Sequence, residues 1–197
     1  MQKISVQIVE QLIESKYISP EYKDAYLYCF DYFFENLKYD LILLCIGMLM
    51  QRFLITVVFL LFFNLLRYFS GGYHAANVLI CNIMSYSIYA LLLLGSYFLS
   101  YFDKTAYLFP FVICSLIVFV ISPVDHPNKK YDSTHRKRAR KYICMILMAE
   151  ALSFSILYSK GYAALLYAIT YSVMVTAMSL LTQSFKNMSN SKTEAKQ

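Results

Sequence analysis

The chain has no tryptophan, five glycines and four prolines in 197 residues, and only 15% of its residues are charged. Soluble domains carry roughly 25% charge. A chain this poor in charge cannot cover itself with polar surface, which excludes an ordinary water-soluble globule. The five cysteines (Cys29, Cys45, Cys81, Cys114 and Cys144) are odd in number and irregularly spaced. That excludes a disulfide framework and a zinc site, and no metal or other cofactor is expected. Taken singly, each cysteine reads as a small buried apolar residue. The first nineteen residues hold Glu10 and Glu14 and no apolar core run, so no secretory signal peptide is expected there. No internal repeat and no dividing linker is visible.

Present instead are 59% apolar residues, 19 tyrosines and 15 phenylalanines. Many aromatics sit at the ends of apolar runs, such as Tyr97, Phe98, Tyr101 and Phe102. That placement suits the membrane–water interface. Residues 78–99 form an uncharged run long enough to cross a bilayer, which takes about 20 residues. Residues 108–122, 142–158 and 163–185 give three further spans, the first short enough to need a thinner bilayer. Glu150 lies in mid-span and is expected to face protein or water, or to be protonated. Residues 41–69 are divided by Gln51 and Arg52. One long helix would bury Arg52 at a cost of at least ~2.5 kcal/mol, so two short segments meeting there are expected. Upstream, the stripe of Ile4, Ile8, Val9, Leu12 and Ile13 predicts an amphipathic helix over 4–17. Ser19-Pro20-Glu21 predicts a break, and residues 21–37 a helix lying on the membrane surface. The fold expected is all-α: a polytopic transmembrane bundle of about six segments with N-terminal amphipathic helices. One membrane domain covers 1–185, with interfacial helices over 1–38 and membrane segments over 41–185. A polar, disordered tail follows from 186 to 197.

Net charge is +6, and seven basic residues against one acid fall within 129–141. Lying between apolar spans, this cluster reads as a cytoplasmic loop over 123–141 and not as a nucleic-acid site. Counting spans from it puts the connection at 67–77, the N-terminus and the tail on the cytoplasmic side. The connections at Asp103-Lys104 and Ser159-Lys160-Gly161 then face outside.

One stretch stands apart: Arg67-Tyr68-Phe69-Ser70-Gly71-Gly72-Tyr73-His74-Ala75-Ala76-Asn77, followed by Cys81. It holds two of the five glycines and one of the three histidines at the edge of a span. An ionisable group at such depth is a functional candidate. Arg67, His74 and Cys81 recur at intervals of seven, which places them on one helical face. Seven residues also rise about 10.5 Å, whereas a general base must come within ~3 Å of its thiol. A continuous helix therefore cannot pair His74 with Cys81. Either the chain breaks between Phe69 and Asn77, with Gly71-Gly72 supplying the bend, or His74 meets Cys81 of a second subunit. So paired, the imidazole takes the thiol proton, the thiolate attacks, and the imidazolium protonates the leaving amine. Arg67 could bind a substrate carboxylate or a developing oxyanion. Asn77 and Ser85 are positioned to orient His74. The plainer alternatives are packing residues for His74 and Cys81, an ordinary turn for Gly71-Gly72 and an interfacial snorkelling side chain for Arg67.

Arg67, Gly71-Gly72-Tyr73-His74-Ala75 and Cys81 resemble the signature of the accessory gene regulator protein B (AgrB) family. So do the chain length, the multiple spans, and the segment Ser122-Pro123-Val124-Asp125-His126-Pro127-Asn128-Lys129 that enters the basic stretch. The likeness covers nearly the whole chain. It implies a bacterial cell-membrane cysteine endopeptidase of peptide quorum sensing, working as a homodimer with its site facing the cytoplasm. Such an enzyme removes the C-terminal part of a precursor peptide (AgrD-like) and promotes its closure into a thiolactone or lactone. Cys81 would be the nucleophile and His74 the base, with Arg67 and Gly72 matching further residues needed for activity. Two other readings compete: a small peptide transporter, and a non-catalytic membrane partner.

Overall fold

The computed structural model describes the backbone of residues 2–72, 78–98, 102–124 and 132–194, and those residues form helices and connecting turns without a strand among them. Their contacts divide the chain into two units, Met1–Met50 and Gln51–Gln197.

In the first unit, α1 (Gln2–Glu14) and α2 (Lys23–Leu49) are joined by a 3-10 turn at Pro20–Tyr22. Proline opens that turn, as its fixed φ favours. The two helices run antiparallel: Ser5 Oγ donates to Asp31 at 2.5 Å, and Lys23 pairs with Glu10 at 3.2 Å. The apolar stripe of α1 turns inward at fully buried Val9. Tyr28, Tyr32 and Phe33 of α2 stay exposed. α2 runs without interruption across residues 38–41, where the interfacial part was expected to pass into the membrane part. Lys38, Tyr39 and Asp40 change polarity there, but none of them interrupts a helix.

α2 ends at Leu49, Gln51 has a positive φ of 55°, and α3 begins at Phe53 (Phe53–Ser70). The expected interruption at Gln51-Arg52 is therefore present. The second unit continues with α4 (Val78–Phe98), a 3-10 turn at Lys104–Tyr107, α5 (Leu108–Ile121), α6 (Ser133–Lys160) and α7 (Ala163–Glu194). Among the described residues five helical stretches are long and apolar enough to cross a membrane: α3, α4, the turn plus α5, α6 and α7. α2 is the remaining segment of the roughly six expected, and only its C-terminal part is continuously apolar.

α7 is the central helix. Its apolar window is 67% buried, against 17–33% for the other four. A helix buried on most sides must be apolar or small all round, and the run Leu166-Tyr167-Ala168-Ile169-Thr170-Tyr171-Ser172-Val173 is buried throughout. Phe59 of α3 packs on Tyr171, with ring centroids 5.8 Å apart, and Tyr107 packs on Tyr167 at 6.2 Å. Phe111 of α5 stacks on Phe154 of α6 at 4.4 Å. α4 is tied to α3 by a 2.8 Å hydrogen bond shared by Thr56 and Tyr89, and by Arg52 lying 4.2 Å over the Tyr97 ring. Glu150 faces protein, fully buried, and among the described residues neither carboxylate oxygen has a hydrogen-bond partner.

Two expectations about boundaries are overturned. The basic loop does not reach 141: α6 starts at Ser133, so Arg136, Lys137, Arg138, Arg140 and Lys141 ride on its first turns. Lysine, arginine and alanine are good helix formers, so the charge marks the end of the apolar span and not the end of the helix. Likewise α7 runs on to Glu194, where a disordered tail from 186 was expected. No glycine or proline follows Gly161, and a helix already nucleated in the span extends at little cost.

Candidate functional site

Leu66 and Ser70, the last buried residues of α3, anchor its C-terminal turn in the core. The Gly71 N–H donates to the Arg67 carbonyl at 3.2 Å and closes the helix. Gly71 then takes φ 74° and Gly72 φ 132°. Both values lie where L side chains are strained and glycine is not. The sequence requirement for a break after Phe69 is thus met: α3 stops at Ser70 and α4 starts at Val78.

Gly72 is buried against α7. A Cβ added to it would lie 2.6 Å from the Ser179 hydroxyl oxygen, far inside contact distance. The same hydroxyl accepts a hydrogen bond from Arg67 Nη1 at 3.4 Å, and the guanidinium also lies 5.7 Å from the Phe63 ring centroid. Arg67, Gly71 and Gly72 therefore form one cluster with Ser179. Sequence reasoning missed Ser179, because a single serine in an apolar span carries no pattern. The signal that could have drawn notice is the small-residue face of α7 on which it sits.

The segment Ser122-Pro123-Val124 reaches the same place. The Val124 N–H donates to the Ser70 carbonyl at 3.1 Å, and Arg136 Nη1 donates to the Pro123 carbonyl at 3.4 Å. Phe69 stacks on Tyr142 of α6 at 4.7 Å. Two stretches some fifty residues apart in sequence are joined by backbone, at the end of the unit where the α6 basic residues lie. Asp125 to Tyr131 are outside the described residues.

Cys81 is a free, half-buried thiol in the first turn of α4. Ser85, Ile88 and Leu92 follow it on the same face at helical spacing. That face meets α7, since Tyr171 Oη donates to the Ile88 carbonyl at 2.9 Å and Leu92 is fully buried. Tyr167 Oη adds a bond to the Leu91 carbonyl at 3.3 Å. Cys114 and Cys144 are also half-buried free thiols, while Cys29 and Cys45 are exposed. His74 and Asn77 lie outside the described residues. Among the described residues no group of histidine, cysteine and carboxylate side chains could hold a metal ion.

Chemically, the arrangement offers a thiol on a packed helix face. A guanidinium is held by a hydroxyl next to a glycine turn, and that turn is followed two residues later by a histidine. No curated protein and no solved structure matches the chain. A family model does, over residues 3–185, and it is that of accessory gene regulator B. The match runs from α1 into α7 and takes in the glycine turn, Cys81 and the Ser122–Val124 segment alike, so the chain belongs to the accessory gene regulator B family, and with it to quorum-sensing peptide processing.

Proposed function

We propose that this protein is a membrane-embedded cysteine endopeptidase that trims a quorum-sensing precursor peptide and promotes its cyclisation. The observation that carries this reading is the end of α3 at Ser70 in the positive-φ turn of Gly71 and Gly72. A continuous helix would hold residues 74 and 81 about 10.5 Å apart, and the glycine turn removes that constraint in a chain of this family.

His74 takes the proton of Cys81, and the thiolate attacks a peptide carbonyl of the precursor. The carbon–nitrogen bond breaks, the imidazolium gives its proton to the departing amine, and the N-terminal part stays on Cys81 as a thioester. A cysteine or serine in the middle of the precursor then gives its proton to His74 and attacks that thioester. The ring closes as thiolactone or lactone, and the Cys81 thiolate leaves. Exchange between thioesters is nearly balanced in energy, so water must be excluded for ring closure to win over hydrolysis. A half-buried thiol at the end of an apolar span serves that need. Arg67 steadies the developing oxyanion or a substrate carboxylate.

The basic first turns of α6 favour the cytoplasmic side of a bacterial cell membrane for this end of the molecule. The precursor's amphipathic leader would lie on the same surface, which raises its concentration at the site. A homodimer fits the family, and the exposed face of α2 (Leu41, Met48, Leu49) suits lipid or a second copy.

The test is co-expression with a candidate AgrD-like precursor and mass spectrometry of the products. Cys81→Ala and His74→Ala should each abolish cleavage, while Cys114→Ala and Cys144→Ala should retain it. Undiminished cleavage by Cys81→Ala would leave a transporter or a non-catalytic partner as the better reading.

A further inference from the structure

The α4–α7 register carries information beyond the packing itself. Tyr171 reaches the Ile88 carbonyl and Tyr167 the Leu91 carbonyl, so the two helices run antiparallel. Cys81 lies seven residues before Ile88, and Met178 lies seven after Tyr171. Ser179 follows Met178, so Ser179 and Cys81 stand level along the two helices to within about one turn, ~5.4 Å.

At that level the Ser179 hydroxyl makes two other contacts. It accepts from the Arg67 guanidinium at 3.4 Å. It also fills the space a Cβ on Gly72 would need, 2.6 Å from that position. The guanidinium and the Gly72 turn thus meet at one oxygen, which stands at about the helical level of the thiol.

We propose that Ser179 is a positioning residue for the peptidase reaction. Its hydroxyl fixes the Arg67 guanidinium and seats the Gly72 turn. It thereby sets where the segment carrying His74 leaves α3 relative to Cys81. This rests on the cysteine-peptidase reading above. Ser179 touches no reacting atom in this scheme and acts through Arg67 and the turn.

The experiment uses the full-length protein in lipid vesicles with the precursor, comparing wild type with Ser179→Ala and Ser179→Cys. The alanine removes the acceptor and keeps the Cβ. The cysteine fills the site with a somewhat larger atom and offers only a weak acceptor. Precursor cleavage should slow on the order of 100-fold for Ser179→Ala, the usual penalty for a small misplacement of catalytic groups. The second readout is the pH profile of Cys81 alkylation by iodoacetamide, followed by peptide mapping. A thiol separated from its base is alkylated on a curve displaced to higher pH. A merely altered accessibility lowers the curve without moving it. Displaced curves in the folded variants support the proposal. A wild-type profile and wild-type cleavage in either folded variant overturn it. If Ser179→Ala fails to fold, Ser179→Cys decides alone. Cys81→Ala runs in parallel: if it still cleaves, the peptidase reading itself has failed, whatever Ser179 does.

Discussion

Gly95→Ala tests the seat of α4 on α7, which sets the direction of the Cys81 face. Two effects oppose each other, and their sizes decide the sign. In the interior of a helix, alanine is favoured over glycine by about 1 kcal/mol. Against this, a Cβ at Gly95 would overlap the Tyr167 hydroxyl and stand 3.1 Å from the ring Cε1. Rotating the hydroxyl does not help, because the ring itself is in the way. Tyr167 is only 6% exposed, so the ring has nowhere to go. Overpacking of this kind costs ~1–3 kcal/mol. The Tyr167 bond to the Leu91 carbonyl is lost with it, for about 0.5–1.5 kcal/mol more. The net is destabilisation of about 1–3 kcal/mol, which lowers Tm by roughly 2–12 °C for a chain of this size. Thermal unfolding followed by circular dichroism in a fixed detergent measures it. In a Tyr167→Ala background the ring is gone, and the same Gly95→Ala change should become neutral or stabilising. A higher Tm for Gly95→Ala in the otherwise unchanged protein would refute the reasoning, since helix preference would then have prevailed over a contact that is not made.

Gly72→Ala should lose most precursor cleavage, because the added Cβ meets Ser179 and the φ of 132° is strained for an L residue by about 1–3 kcal/mol; product yield by mass spectrometry checks this. Thr56→Val removes the hydrogen bond to Tyr89 between α3 and α4, and should lower stability by about 1 kcal/mol in the same unfolding assay. Glu150→Leu replaces a buried carboxyl group whose oxygens have no hydrogen bond with an apolar side chain of similar size, and Tm should stay level or rise. Val124→Pro deletes the N–H that bonds Ser70, and should reduce cleavage more than it reduces Tm.

Much of this architecture was legible in the residues. The runs 78–99 and 108–122 became α4 and α5 nearly to the residue, because an apolar stretch of that length has one stable form in a bilayer. The cost of burying Arg52 foretold the break at Gln51. Pairing of His74 with Cys81 inside one chain would need a break between Phe69 and Asn77, and Gly71-Gly72 marked where α3 does end. Helix ends in water were less legible. Lys137-Arg138-Ala139-Arg140 and the stretch after Lys186 read as polar connections, yet nothing in either opposes a helix, and both proved helical. Polarity reports the edge of the lipid, whereas glycine, proline and capping report the edge of a helix. Ser179 escaped notice for another reason. Its importance comes from the approach of α3 to α7 over more than a hundred residues of sequence, and no local spacing encodes such a meeting.

The most direct measurement is intact-mass spectrometry of the protein quenched in acid during turnover with its precursor. A covalent adduct should appear whose mass equals the precursor without its C-terminal part. It should map to Cys81, be released by hydroxylamine, and be missing from Cys81→Ala. Cleavage at the normal rate by a Cys81→Ala protein, with no acyl group ever found on residue 81 of the wild type, would contradict the account.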